Sequence, residues 1–465
     1  MDFSAFIQEI LQSDVPAAFK RFGRLLDAQW VESALEETGT ASVRRRKLPA
    51  ELVVWLVIGM GLFRDRAIQE VVSHLGLLLP GQKEKGGKGK KTLVPSAIPQ
   101  ARYRVGAEPL EKIFSRTAEK WAHAEADKDR WRGLALYGMD GTTLRVPDTE
   151  ENRETFGLPG TGSGQAGYPQ VRFMGLMALR SHLLAEVVFG PCLGKKTGEQ
   201  TLVRDLWPIV PDNSLVIVDR GLINYGLFYG LYHNDDGEMT GRKNWLTRAK
   251  KNAQWKTLKT LAPGDELVEL KLGHELRRQD PNLPETMVAR AIRYEVRGYQ
   301  PQTLLTSLID AESYPAAEVA ALYHERWELE IGYDELKTHM LERQETLRSK
   351  KPEGIRQEIW GIMLVYNLVR KEMLEVALEA GVIPRRVSFR HSLQLIRIFC
   401  LVEAWTMSPG NLPKRLGGLV DMMGLLILPE RRSERRYERH VKIKESHYKK
   451  NPGRPQKKGR KPRGK

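Results

Sequence analysis

A chain of 465 residues with 41% hydrophobic and 28% charged content is too long for one simple core and suits about two to four structural units. Its longest apolar runs, Leu52–Phe63 and Ile359–Val369, fall short of the roughly 20 residues a bilayer requires, which excludes a spanning helix. The start, MDFSAFIQEI, lacks the basic region of a secretory signal, and two distant cysteines, Cys192 and Cys400, describe reduced core thiols. A cytoplasmic protein is the expectation. The net charge of +16 is concentrated at one end: residues 431–465 hold 16 Lys or Arg against 3 Glu, a net of +13, leaving +3 for the rest.

Residues 1–126 read as a helical N-terminal domain. Ala50–Phe63 and Ala67–Leu77 are apolar segments, and Ser96–Arg104 with Pro109–Trp121 forms a further helical pair. Between them, residues 81–95 are basic and poor in apolar side chains. The domain either contacts DNA, with Arg44–Lys47 and Lys83–Lys91 at phosphates, or is a bundle with ordinary charged faces.

From Leu134 the pattern turns to strands. Leu134–Val146, Val171–Leu179 and Leu183–Phe189 read as an antiparallel meander, Gln200–Ile209 as a crossover helix, and Leu215–Val218 as a buried strand ending at Asp219. A helix over Asn224–Tyr232 and a strand at Trp245–Ala249 follow. This order predicts a mixed sheet flanked by helices, with Asp140 and Asp219 brought to one edge by neighbouring parallel strands. Residues 127–255 form its first part. Residues 256–300, with Leu267–Leu272 and Met287–Val296 alternating, are a β-strand insertion, and residues 301–348 resume the domain. Ile355–Ala380 and Phe389–Val402 read as long amphipathic helices of a C-terminal region, 349–430. The tail, 431–465, has the composition of a disordered, phosphate-neutralising segment. Its Gly453-Arg454-Pro455 either reads the minor groove, although Pro452 stands where such a motif has arginine, or is a solubilising element.

The stretch Tyr323–Lys337, YHERWELEIGYDELK, carries the chemistry. Read as one helix, it places Tyr323, Arg326, Glu330 and Lys337, at offsets of 3, 7 and 14, within about 60° of one another. A guanidinium, an ammonium and a phenol suit a phosphodiester, and a carboxylate among them suits a metal ion. One Glu is too little for Mg²⁺ or Mn²⁺, so partners are required upstream, and Asp140 and Asp219 are the candidates. Each acid alone has an ordinary reading as a turn, a cap or a solvated side chain. Asp334 and Glu335 are the closest competitors to Glu330, and Arg220 either contacts DNA or pairs with a carboxylate. His324 and Glu328 read as a surface ion pair rather than a zinc site. Gly160–Gly167 lacks the Lys-Ser/Thr of a nucleotide loop.

Together Asp140-Gly-Thr, Asp219-Arg-Gly and Tyr323-x2-Arg326-x3-Glu330-x6-Lys337 resemble the signature of the IS4 family of DDE transposases, with acid separations of 79 and 111 residues. DGTTLRVPDTEENRETFG, from residue 140, resembles the surroundings of that family's first aspartate. The resemblance implies an RNase H-like fold interrupted by the β insertion. It also implies two Mg²⁺ or Mn²⁺ ions held by Asp140, Asp219 and Glu330, and DNA contacts by Tyr323, Arg326 and Lys337. The implied partners are terminal inverted repeats, target DNA and a second copy of the chain in a synaptic dimer. Members similar to it often pass through a hairpin; Trp245 and Trp255 are available to hold a flipped base, against a core or surface role for each. A non-catalytic DNA-binding descendant and a nuclease without strand transfer are the competing functions.

Overall fold

The computed structural model describes residues 25–42, 48–74, 96–161, 164–194, 197–233, 240–295, 300–342, 346–406 and 412–428. The basic segments Arg44–Lys47 and Lys83–Lys91 and the tail lie outside the described residues.

A nine-stranded sheet organises the molecule. Its strands are β1 (Ala135–Arg145), β2 (Gln170–Ala178), β3 (Leu184–Pro191), β4 (Ser214–Val218), β5 (Lys243–Arg248), β6 (Lys256–Ala262), β7 (Asp265–Lys271), β8 (Thr286–Tyr294) and β9 (Gln302–Thr306). Their order across the sheet is β3-β2-β1-β4-β5-β9-β8-β7-β6. The meander β1-β2-β3 is antiparallel, while β1 with β4 and β4 with β5 are parallel. Three antiparallel strands leading into two parallel ones is the RNase H-like arrangement. β4, SLVIV, is buried at all five positions, as a central parallel strand must be; Leu215, Val216, Ile217 and Val218 each contribute about 1.5–3 kcal/mol of burial.

The predicted insertion is present but does not form a separate sheet. β8 pairs with β9 and β7, so β6, β7 and β8 extend the main sheet to its far edge. The sequence pattern missed β6, KTLKTLA, because its side chains are exposed on both faces apart from Leu261 and carry no alternation; lysines on such an edge oppose further pairing.

The helices of the two ends of the chain share one layer. α1 (Ala28–Glu37), α2 (Ala50–Leu62), α3 (Ala97–Val105) and α4 (Glu108–Thr117) precede the sheet; α5 (Glu199–Leu206) and α6 (Tyr225–Tyr232) flank it; α7 (Ala316–Tyr323), α8 (Trp327–Asp334), α9 (Pro352–Glu379), α10 (Phe389–Thr406) and α11 (Leu412–Gly424) follow. α2 and α4 pack directly on α9. The closest approach is Gly61 against Gly361, where a Cβ on Gly61 would stand 2.6 Å from the Gly361 carbonyl oxygen. α9 is therefore not the amphipathic helix its sequence suggested. It is buried along most of its length, because helices from both ends of the chain and the sheet enclose it.

Candidate active site

Asp140 lies in the middle of β1, where its parallel pairing with β4 stops, and Asp219 directly follows the last residue of β4. Met139 of β1 pairs with Val218 of β4, so the next residue on each strand is an aspartate. Val218 pairs with Thr247 of β5, which puts Arg248 beside Asp219 in the following row. Asp219 opens a 3-10 turn over Arg220–Leu222, and Arg220 is exposed on it.

α8 lies across this row. Leu329 packs where a Cβ on Gly138 would stand 2.7 Å from its Cδ1, so glycine at 138 sets how closely the helix approaches β1. The Tyr333 hydroxyl donates to the Asp140 carbonyl, 2.6 Å, and pins the helix to the same strand. Glu330 projects from α8 and accepts from Arg326 Nη2 at 2.9 Å. Tyr333 was missed by the motif, which marks chemistry and not docking.

The predicted single helix is broken. Tyr323 ends α7, Arg326 lies in a 3-10 turn (His324–Arg326), Glu330 is in α8, and Lys337 is in a π turn (Glu335–Met340). A 3-10 turn advances about 120° per residue and a π turn less than an α-helix, so one uniform angular stripe does not run through all four. Lys337 is half-buried. Tyr323 is 6% exposed, and its hydroxyl has no hydrogen-bond partner; burial, with Asp219 nearby and Arg326 opposing, pushes the phenol up to about 12. It is a proton donor at neutral pH, held close to the acids.

Several neighbours of the site differ from expectation. Glu328 does not face His324 on the surface; it is buried and bonds to His182, 2.9 Å. Glu335 is buried against Arg370 and Tyr366, while Asp334 is exposed and accepts from the Thr338 hydroxyl at 2.6 Å. Trp245 is fully buried and stacked on Phe228, a core role that closes it to a DNA base; Trp255 is partly buried. Trp327 is 39% exposed, with the Arg326 guanidinium 5.5 Å over its ring.

The charge balance tests whether a cation fits. Burial raises the Asp140 carboxyl above its usual range; the Gly141 N–H, 2.8 Å, and Arg326 oppose this, while Glu199 and Asp219 push further upward. Glu199, on α5, carried no sequence signal. A half-buried acid whose neighbours are two more acids favours a bound divalent cation, and oxygen donors are the ligands Mg²⁺ and Mn²⁺ take. Arg326 senses Asp219 as well as Glu330, which relates the third acid to the strand row. Among the described residues no three His, Cys, Asp or Glu side chains close to metal-ligating geometry, and Glu330 is held on Arg326.

A sheet of this topology, with one acid within β1, another directly after the neighbouring β4, and a Glu-bearing helix across them, has the arrangement of a polynucleotidyl-transferase core. Comparison with known proteins agrees. The family model "Transposase DDE domain" matches residues 135–368 and "Insertion element 4 transposase N-terminal" matches residues 16–115. The chain is 36% identical to the transposase InsG of insertion sequence element IS4 from Escherichia coli K12, over 90% of this chain and 91% of that one. It is 32% identical to the putative transposase InsZ of the same organism, over 61% of this chain and 92% of that one. A solved piggyBac transposase synaptic complex with hairpin DNA aligns at a TM-score of 0.38 and 11% identity, covering 92% of this chain and 86% of that one. The protein belongs to the IS4 family of DDE transposases. It is a metal-dependent DNA-cleaving enzyme.

Proposed function

We propose that the protein binds the terminal inverted repeats of its insertion sequence, cuts there and joins the freed ends to target DNA. The observation that carries this reading is the row of Asp140 and Asp219 on adjacent parallel strands, roofed by the helix bearing Glu330. In this reading Asp140, Asp219 and Glu330 would hold two Mg²⁺ or Mn²⁺ ions, which when bound would supply positive charge to the attacking and leaving oxygens. Arg326 keeps Glu330 in place and offers the rest of its guanidinium fork to a phosphate. Tyr323, a buried donor without a partner, gives its hydrogen bond to the same strand. Lys337 and Arg220 add positive charge along the DNA.

Water attack on the phosphorus at the element's end expels the 3′-oxygen as a hydroxyl and leaves a 5′-phosphate. That hydroxyl then attacks a target phosphodiester, forming one phosphorus–oxygen bond as another breaks. Two ends require two catalytic centres, so a homodimer is the working form, acting in the cytoplasm where the chromosome lies. No described helix is long and apolar enough to cross a membrane.

A supercoiled plasmid carrying the element's ends, incubated with the protein and Mg²⁺ or Mn²⁺, tests the reading. Excision and insertion products are expected. Retained binding with intact DNA would make the protein a non-catalytic binder, and cuts without joined products would make it a nuclease.

A further inference from the structure

We propose that His182 is a positioning residue for DNA cleavage, holding the inner face of the helix whose outer face presents Glu330. The inference rests on the functional reading above. His182 lies in the turn between β2 and β3, outside every motif of the family signature. It is 1% exposed and adopts a left-handed backbone, φ 60°, a conformation non-glycine residues rarely take unless their surroundings impose it.

Its two ring nitrogens have different partners. Arg370, on α9, directs Nη2 at Nδ1. The Glu335 carboxylate stands 3.4 Å from the same nitrogen, and on the other side of the ring Nε2 donates to the Glu328 carboxylate at 2.9 Å. The same Arg370 nitrogen donates to Glu335, which also accepts from the Tyr366 hydroxyl at 3.1 Å. Arg385 approaches Glu328 from the other side, 3.6 Å. The catalytic helix is thus tied at two points, Glu328 and Glu335, to one buried hub made by the sheet turn and α9.

These two ties define a rotation. Seven residues separate Glu328 from Glu335, so in a regular helix they would share a face, whereas Glu330 lies about 200° round from Glu328. The segment passes from 3-10 through α to π within 17 residues, His324–Met340, so its backbone alone does not fix a single angular setting. Burying ionised groups costs solvation that an apolar pair would not. What the hub adds is one orientation of the helix, with Glu328 and Glu335 inward and Glu330 outward over the strand row.

The full-length protein with alanine and glutamine at 182 provides the test, reading Mn²⁺ binding by paramagnetic resonance, end-duplex affinity, nicking rate and melting temperature. His182→Ala is expected to weaken Mn²⁺ binding and slow nicking by about 10- to 100-fold, the range for residues that orient metal ligands, with end-duplex affinity held within about 2-fold. His182→Gln, which keeps a donor for Glu328, recovers part of both. Unchanged Mn²⁺ affinity in a folded His182→Ala protein overturns the proposal, as does a rate loss that merely follows the folded fraction. Should His182→Ala lose its cooperative melt, Glu328→Gln keeps the side-chain shape and carries the same expectation and the same contrary outcome. A wild-type protein that binds Mn²⁺ without cutting DNA would defeat the functional reading alone, since the ion-binding comparison stands without cleavage.

Discussion

Two acids, Asp140 and Glu358, are both withdrawn from water, and the fold treats them oppositely. Glu358, on α9, is 1% exposed. It accepts from the Arg348 and Ser349 amides at 3.1 and 3.0 Å, from the Ser349 hydroxyl at 2.9 Å, and from the guanidinium groups of Arg348 and Arg64. Burial opposes its ionisation, yet Arg64, Arg348 and Arg102 outweigh it and hold the carboxyl at about 2. Asp140 has one backbone donor and one nearby arginine, and two further acids beside it. A buried carboxylate with its charge fully answered by the protein is a clamp between chain segments. One left under-compensated is a place for charge that arrives from outside.

The comparison can be broken at either acid. The largest effect belongs to the site: Asp140→Asn and Asp219→Asn are each expected to cut cleavage by more than about 1000-fold while preserving end binding, because a lost metal ligand removes transition-state charge and not the DNA-contacting surface. Plasmid nicking alongside gel-shift affinity checks this, and wild-type turnover by Asp219→Asn would remove the assignment. At the clamp, Glu358→Gln should leave Arg64, Arg348 and Arg102 without their shared counter-charge and destabilise the protein by about 3–5 kcal/mol, read by urea unfolding.

Acid titration sharpens the same contrast. The folded Glu358 carboxyl lies at about 2 against an ordinary 4.5, so its stabilisation, on the order of 3 kcal/mol, is complete above that ordinary value and is lost as pH falls from about 4.5 toward 2. Glu358→Gln should flatten the acid limb over this window. Asp140 is shifted the other way, so its ionisation weakens the fold, and Asp140→Asn should melt slightly higher, by about 1 °C. A lower melting temperature would place Asp140 among the clamps. A further small effect is expected at Tyr323: phenylalanine removes a buried hydroxyl without a partner, so stability should hold or rise by up to about 1 kcal/mol while nicking slows by about 10-fold.

Side-chain order along the chain determined more of the catalytic half than of its surroundings. Apolar runs located β1, β2, β3, β4 and β5 closely, because strands with buried faces leave an apolar record, fullest in β4 and weakest toward the end of β3 at the sheet's edge. The signature in Tyr323–Lys337 named Arg326 and Glu330, which do pair across one turn. Local sequence could not reveal that this segment is α only in its middle, since the π turn begins where Glu335 meets Arg370, 35 residues further on. For the same reason Glu328 read as a surface acid: its partner, His182, is 146 positions away.

What the sequence by itself determined, then, is the chemistry: which residue types are available, and that the strand carrying Asp140 and the strand ending at Asp219 belong to one sheet. What only the tertiary structure decided is the charge each acid experiences. Identical carboxyl groups became a clamp at Glu358, an anchor at Glu335 and an under-compensated site at Asp140, because proton affinity follows burial and neighbouring charge in space, and neither is written in the order of residues.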